Sequence, residues 1–129
     1  MQRYSHVFII TAIIIASMGC SSGLELPSEG DNINIATVNP LRGVKSAVTE
    51  GAEIYRIKCS QCHGEKADGG AGPDLTDTES VYGVLDDEVF RITYFGTPNG
   101  MPTWRYDLGE EGIWKVLAYI EELKKGNSQ

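Results

Sequence analysis

Apolar residues recur at helical spacing in three stretches of the chain. The clearest lies near the C-terminus, where Ile113, Val116, Leu117, Ile120 and Leu123 follow the i, i+3, i+4, i+7 pattern of one helix face. Glu110 and Glu111 stand before this stripe, Lys124 and Lys125 close it, and Gly126 follows, which suits the helix dipole at both ends and predicts a helix over about 110–125. A second stripe, Val48, Ala52 and Tyr55 with Ile54 beside it, runs without proline and predicts a helix over 46–58. A third, shorter helix is predicted over 86–95, with Asp86, Asp87 and Glu88 at its start and Gly96 at its stop. Gly64, Gly69, Gly70, Gly72 and Pro73 break the segment 65–76 into loop, and Pro-Asn-Gly-Met-Pro at 98–102 reads as a turn. No run alternates as a strand would. The expected class is all-α, three to four helices joined by long loops. Such loops are uncommon in a short chain unless something organises them, and a large flat cofactor at the centre would do so.

The first residues read differently. Arg3 is the only charge before Cys20, and 7–18 is almost wholly apolar: too short for the ~20 residues that span a bilayer, and within the ~7–15 of an export signal. Residues 1–19 are therefore expected to direct export. Ser17-Met18-Gly19-Cys20 resembles the bacterial lipobox, which makes Cys20 the expected lipidation site; Ser17 stands where Leu is usual. An uncleaved anchor, or a free thiol at Cys20, are the alternatives. Residues 20–45, rich in Gly, Ser, Pro, Asn and acids, read as a lipid-anchored flexible linker, a few of whose residues could pack on the domain that follows at 46–126.

The chain has 129 residues and a net charge of −7, and loss of the Arg3 segment would make it more acidic by one unit. Its length allows one domain after the signal. An acidic surface argues against nucleic acid and against electrostatic adhesion to anionic lipid.

Cys59-Ser60-Gln61-Cys62-His63 is the C-x-x-C-H haem-attachment sequence. The two thiols can add across the haem vinyl groups as two thioethers, and the next residue supplies an imidazole to the iron. A thioredoxin-like dithiol would need a βαβ context that the pattern lacks, and a zinc site would need a second pair of ligands. A disulfide between Cys59 and Cys62 remains an alternative in an oxidising compartment. His6, Met1 and Met18 lie in the export segment, so His63 and Met101 are the imidazole and thioether left in the domain. This predicts one covalent haem c with His63 and Met101 as axial metal ligands, both positions filled, and a positive potential, since a thioether ligand raises it.

At these residues the chain resembles the class I monohaem cytochrome c family, in a small bacterial lipoprotein form, over about 46–125. Gly51 and Tyr55 precede the motif as in that family, where the glycine lets the first helix cross the last; Trp114 and Tyr119 would be the partner aromatics. Gly72-Pro73-Asp74-Leu75 resembles the family's Gly-Pro-x-Leu segment, which implies that the Pro73 carbonyl accepts the hydrogen bond of His63. Thr97 to Trp104 resembles the family's methionine loop, which implies that Trp104 lines the haem edge, with Tyr94 or Arg105 as candidates for a propionate. The resemblance implies a cytochrome c fold and an electron-transfer protein that is not an enzyme. It would shuttle single electrons at the outer face of the cytoplasmic membrane or in the periplasm. Its donor would be a dehydrogenase or quinol-oxidising complex and its acceptor a terminal oxidase or reductase. A haem sensor or weak peroxidase with a displaceable distal Met101 is the alternative, and a thiol–disulfide module the third reading.

Overall fold

The computed structural model describes residues 33–77 and 85–127. Its elements in chain order are α1 (Lys45–Lys58), α2 (Ser60–His63), α3 (Asp86–Phe95) and α4 (Arg105–Asn127), and the described residues contain no strand. The all-α class is met. The predicted signal, Cys20 and most of the predicted linker lie outside the described residues. No helix among the described residues is long and apolar enough to cross a membrane.

α1 and α4 cross, and α3 packs on α4. The crossing is set by Gly51: a methyl group placed on it would lie 2.5 Å from the Lys115 carbonyl carbon, closer still to its oxygen, and 3.1 Å from the Val116 nitrogen. Only a residue without a side chain allows α1 to rest on the α4 backbone. That contact turns the face of α1. Ala47, Gly51 and Tyr55 are buried, whereas Val48 and Ala52 of the predicted stripe are only half-buried. The small-residue edge faces the partner because backbone proximity, not side-chain bulk, decides this interface. Lys115 reinforces it with an ion pair to Glu50 of α1 at 2.8 Å, and pairs within α4 with Glu111 at 2.6 Å.

On α4, Ile113, Val116, Leu117 and Ile120 are buried as the pattern predicts, together with Trp114 and Ala118. The helix begins earlier than predicted. Residues 105–108 form a turn that a kink at Gly109 (φ 61°) joins to the main helix. α3 holds its first turn through the Glu88 carboxylate, which accepts the Leu85 N–H at 3.2 Å, and stops at Gly96 (φ 78°).

Residues 33–44, which composition assigns to the linker, pack on the helices. Ile33, Ile35 and Leu41 meet the core. Asn39 is 3% exposed; its Nδ2 donates to the Trp114 carbonyl at 3.0 Å, its Oδ1 accepts the Leu41 N–H at 2.9 Å, and its own N–H donates to Asp86 at 2.6 Å. Arg42 pairs with Asp86 at 2.7 Å and with Glu121 at 2.6 Å. Asn39→Ala strands the Leu41 N–H and should cost about 1–2 kcal/mol in denaturant unfolding of the haem-loaded protein. An unchanged midpoint would mean that this arm does not unfold with the helices.

Candidate functional site

The motif occupies the corner where α1 ends. Cys59 caps α1, and α2 is a single turn closed by His63 N–H to Cys59 O at 3.0 Å and Gly64 N–H to Ser60 O at 2.9 Å, so that Cys59, Cys62 and His63 share one tight turn. Gly64 (φ 81°) then reverses the chain. Ala67 follows at φ 62°, fully buried, a left-handed setting that costs an alanine about 1–2 kcal/mol and that the surrounding packing enforces.

Cys59 is half-buried, Cys62 exposed, and both thiols are free. Burial, with the Cys62 thiol adding to it, pushes the Cys59 thiol up to about 11. A redox-active C-x-x-C needs an attacking thiol lowered toward neutrality, so Cys59 is not set up for that role.

His63 is buried, and its Nδ1–H donates to the Pro73 carbonyl at 2.9 Å. That bond fixes the tautomer and leaves Nε2 as the nitrogen able to bind a metal. The loop that brings Pro73 there folds back through Gly72 N–H to Cys62 O at 2.8 Å and Leu75 N–H to Ala67 O at 2.8 Å.

Met101, half-buried, sits in a closed loop. Thr97 N–H donates to the Met101 carbonyl at 2.9 Å, and Met101 N–H donates to Thr97 Oγ1 at 3.3 Å. Trp104 N–H then donates to the Thr93 carbonyl of α3 at 3.1 Å. The half-buried Trp104 ring lies 5.8 Å from Lys58 Nζ, within reach of the last residue of α1. Arg105 lies over the rings of Tyr94, Phe95 and Tyr106 at 5.9, 5.6 and 4.6 Å.

The aromatic partners divide. Tyr119 meets Tyr55 with ring centroids 5.5 Å apart, while Trp114 stacks on Phe90 at 4.2 Å and belongs to the α3 side. Tyr55 was legible as a core residue but not as a support of the site: its hydroxyl donates to the Gly64 carbonyl at 2.7 Å, just behind His63. Burial pushes its phenol up to about 12, with the neighbouring Cys59 and Tyr119 adding to the effect. The folded state therefore favours the neutral phenol. Its contribution is complete below the ordinary value of 10.0 and drains away as pH rises through about 12. In an absorbance titration Tyr55 should ionise last, and Tyr55→Phe should remove that step and cost about 1 kcal/mol. Ionisation together with the exposed tyrosines would contradict the burial.

The donor set fits a covalently held haem: two unpaired thiols and an imidazole with one nitrogen committed and one open, all on one turn. A family model described as cytochrome C oxidase, cbb3-type, subunit III, matches residues 46–120. The chain belongs to the class I monohaem cytochrome c family. The cytochrome carries haem c, covalently bound.

Among its relatives, the cbb3-type cytochrome c oxidase subunit FixP of Rhizobium meliloti is 32% identical over 93 residues, covering 64% of this chain and 32% of that one. Cytochrome c-L of Methylorubrum extorquens is 33% identical over 88 residues, covering 66% of this chain and 44% of that one. The chain thus spans about a third of the length of the FixP relatives. The crystal structure of cytochrome cL from Hyphomicrobium denitrificans superposes with a TM-score of 0.63 at 29% identity, over 74% of this chain and 61% of that one. The corresponding protein of Methylophaga aminisulfidivorans gives the same TM-score, 0.63, at 24% identity, over 74% and 71% of the two chains, and bears on the fold alone.

Proposed function

We propose that this cytochrome is a one-electron carrier rather than an enzyme. Cys59 and Cys62 would attach the haem, His63 and Met101 would ligate its iron, and Trp104 would pack beside it. One observation carries the reading: the buried imidazole next to the second motif cysteine has its Nδ1 committed to Pro73, so that a single nitrogen is left for iron. When bound, haem c supplies a one-electron couple.

The residues of the chain account for the rest. The Pro73 carbonyl holds the His63 ring in one tautomer and makes it a stronger donor. Thr97 closes the loop of Met101 from both sides, which restrains the thioether from leaving. The packed layer of Tyr55, Phe90, Ile113 and Trp114 is a rigid frame, so little has to rearrange when charge comes and goes.

The cbb3-type oxidase subunits among the relatives support a terminal oxidase or reductase as acceptor, with a dehydrogenase or quinol-oxidising complex as donor. Export and lipidation at Cys20 would place the carrier at the outer face of the cytoplasmic membrane or in the periplasm.

The test is expression in a strain able to attach haem. Sharp low-spin bands in the reduced-minus-oxidised spectrum are expected, absent from Cys59→Ala/Cys62→Ala. Cys20→Ser should move the protein from the membrane to the soluble fraction. A colourless but folded wild-type protein would refute the carrier; an unchanged distribution of Cys20→Ser would refute the lipid anchor.

A further inference from the structure

The His63 imidazole is held on two sides by one short loop. Gly69 N–H donates to the His63 carbonyl at 3.0 Å, Gly70 N–H to the Gly72 carbonyl at 2.9 Å and Gly72 N–H to the Cys62 carbonyl at 2.8 Å, pinning the loop to the motif turn. The Pro73 carbonyl then takes Nδ1–H and secures one edge of the ring. A hydrogen bond at one ring atom still lets the imidazole tilt by coupled turns about Cα–Cβ and Cβ–Cγ. Gly72 removes this freedom. A methyl group placed on it would stand 2.7 Å from Cε1, 2.8 Å from Nδ1 and 3.1 Å from Nε2. Distances so nearly equal to three atoms of one ring are those of a point above its plane, not beyond its rim. The Gly72 Cα therefore faces the imidazole ring from one side of its plane, with room for a hydrogen but not for a methyl. Gly72 is not among the glycines with positive φ, so the backbone does not require a glycine here; the ring does.

We propose that Gly72 is a positioning residue for the metal site: it sets the rotational angle of the His63 ring, and so the plane of the proximal ligand, and keeps Nδ1 on the Pro73 carbonyl. This rests on the reading of His63 as iron ligand. An alanine here drives the ring off Gly72 and away from the Pro73 oxygen. An imidazole that loses this acceptor is a weaker donor, which favours the reduced state. The ligand plane also turns, which changes the magnetic anisotropy of the oxidised iron.

Potentiometry and low-temperature electron paramagnetic resonance of the haem-loaded protein test this. Wild type should give one sharp set of low-spin g-values. Gly72→Ala should give a displaced or second set, with the reduced:oxidised ratio at a fixed ambient potential raised about threefold or more. Unchanged g-values and an unchanged ratio in Gly72→Ala would overturn the role of Gly72 and leave the carrier standing. If the variant does not mature, wild type alone decides: one sharp set supports a single ring setting, and two sets refute it. A wild-type haem protein without any low-spin signal would instead overturn the His63 ligation on which the inference rests.

Discussion

Met101→Ala is expected to lower the midpoint potential by on the order of 100 mV or more and to let carbon monoxide bind the reduced protein, which wild type should resist. A thioether favours the reduced metal, and what replaces it in the variant is a harder donor such as water. A shift of that size exceeds tenfold in the redox equilibrium, since a one-electron couple changes tenfold for about 59 mV. The loop should survive the substitution. Thr97 reaches the backbone of Met101 through its own N–H and through its hydroxyl, and Trp104 is tied to Thr93, so neither anchor uses the sulfur. Thr97→Ala provides the complementary case. It keeps the thioether but removes one tether, so carbon monoxide should gain partial access with a much smaller change in potential. If Met101→Ala left both the potential and the carbon monoxide response of wild type unchanged, Met101 would not be a ligand. Ready binding by wild type would favour the sensor or peroxidase reading.

The parts of this protein that were legible in sequence are those written in periodicity or in a short local motif. α4 was readable because Ile113, Val116, Leu117 and Ile120 repeat at the period of the helix that buries them. α3 was readable to its ends because charge and glycine mark both. The Nδ1–H bond of His63 to Pro73 followed from a family resemblance, and it is present at 2.9 Å.

What was missed depends on contacts between segments. Trp114 and Tyr119 looked like a pair facing α1, but five residues at 100° each place them about 140° apart around α4. Tyr119 therefore turns to Tyr55 and Trp114 to Phe90. Asn39-Pro40 has the composition of a linker turn. Nothing local indicates that Asn39 is buried against the Trp114 carbonyl, 75 positions away along the chain. The family resemblance set Gly72 beside Pro73 without giving it a role, because a contact with a ring leaves no trace in composition. The orientation of α1 was shifted for a related reason. A hydrophobicity pattern selects Val48 and Ala52, whereas close packing of backbones, which the family resemblance alone pointed to at Gly51, selects Ala47 and Gly51.

That last difference yields the largest stability effect expected in the protein. In the interior of a helix, Gly→Ala ordinarily stabilises by ~1 kcal/mol. Gly51→Ala should do the reverse and cost about 2–4 kcal/mol. The added methyl would meet the Lys115 carbonyl, 2.5 Å from its carbon, and would lie 3.1 Å from the Val116 nitrogen. Backbone atoms cannot rotate out of the way as a flexible side chain could. Relief comes only by moving α1 off α4, which opens the contact of Tyr55 with Tyr119 and stretches the Lys115–Glu50 pair, 2.8 Å in the native crossing. For a domain of this size the loss corresponds to a fall of roughly 10–20 °C in the thermal midpoint of the haem-loaded protein. Gly126→Ala is the control, because a methyl there meets no atom within 4 Å. It should be neutral or slightly stabilising, so the same chemical change has opposite signs at the two positions. Should Gly51→Ala unfold at or above the wild-type midpoint, α1 and α4 do not cross at backbone distance, and the packing that carries Cys59 and His63 would have to be drawn again.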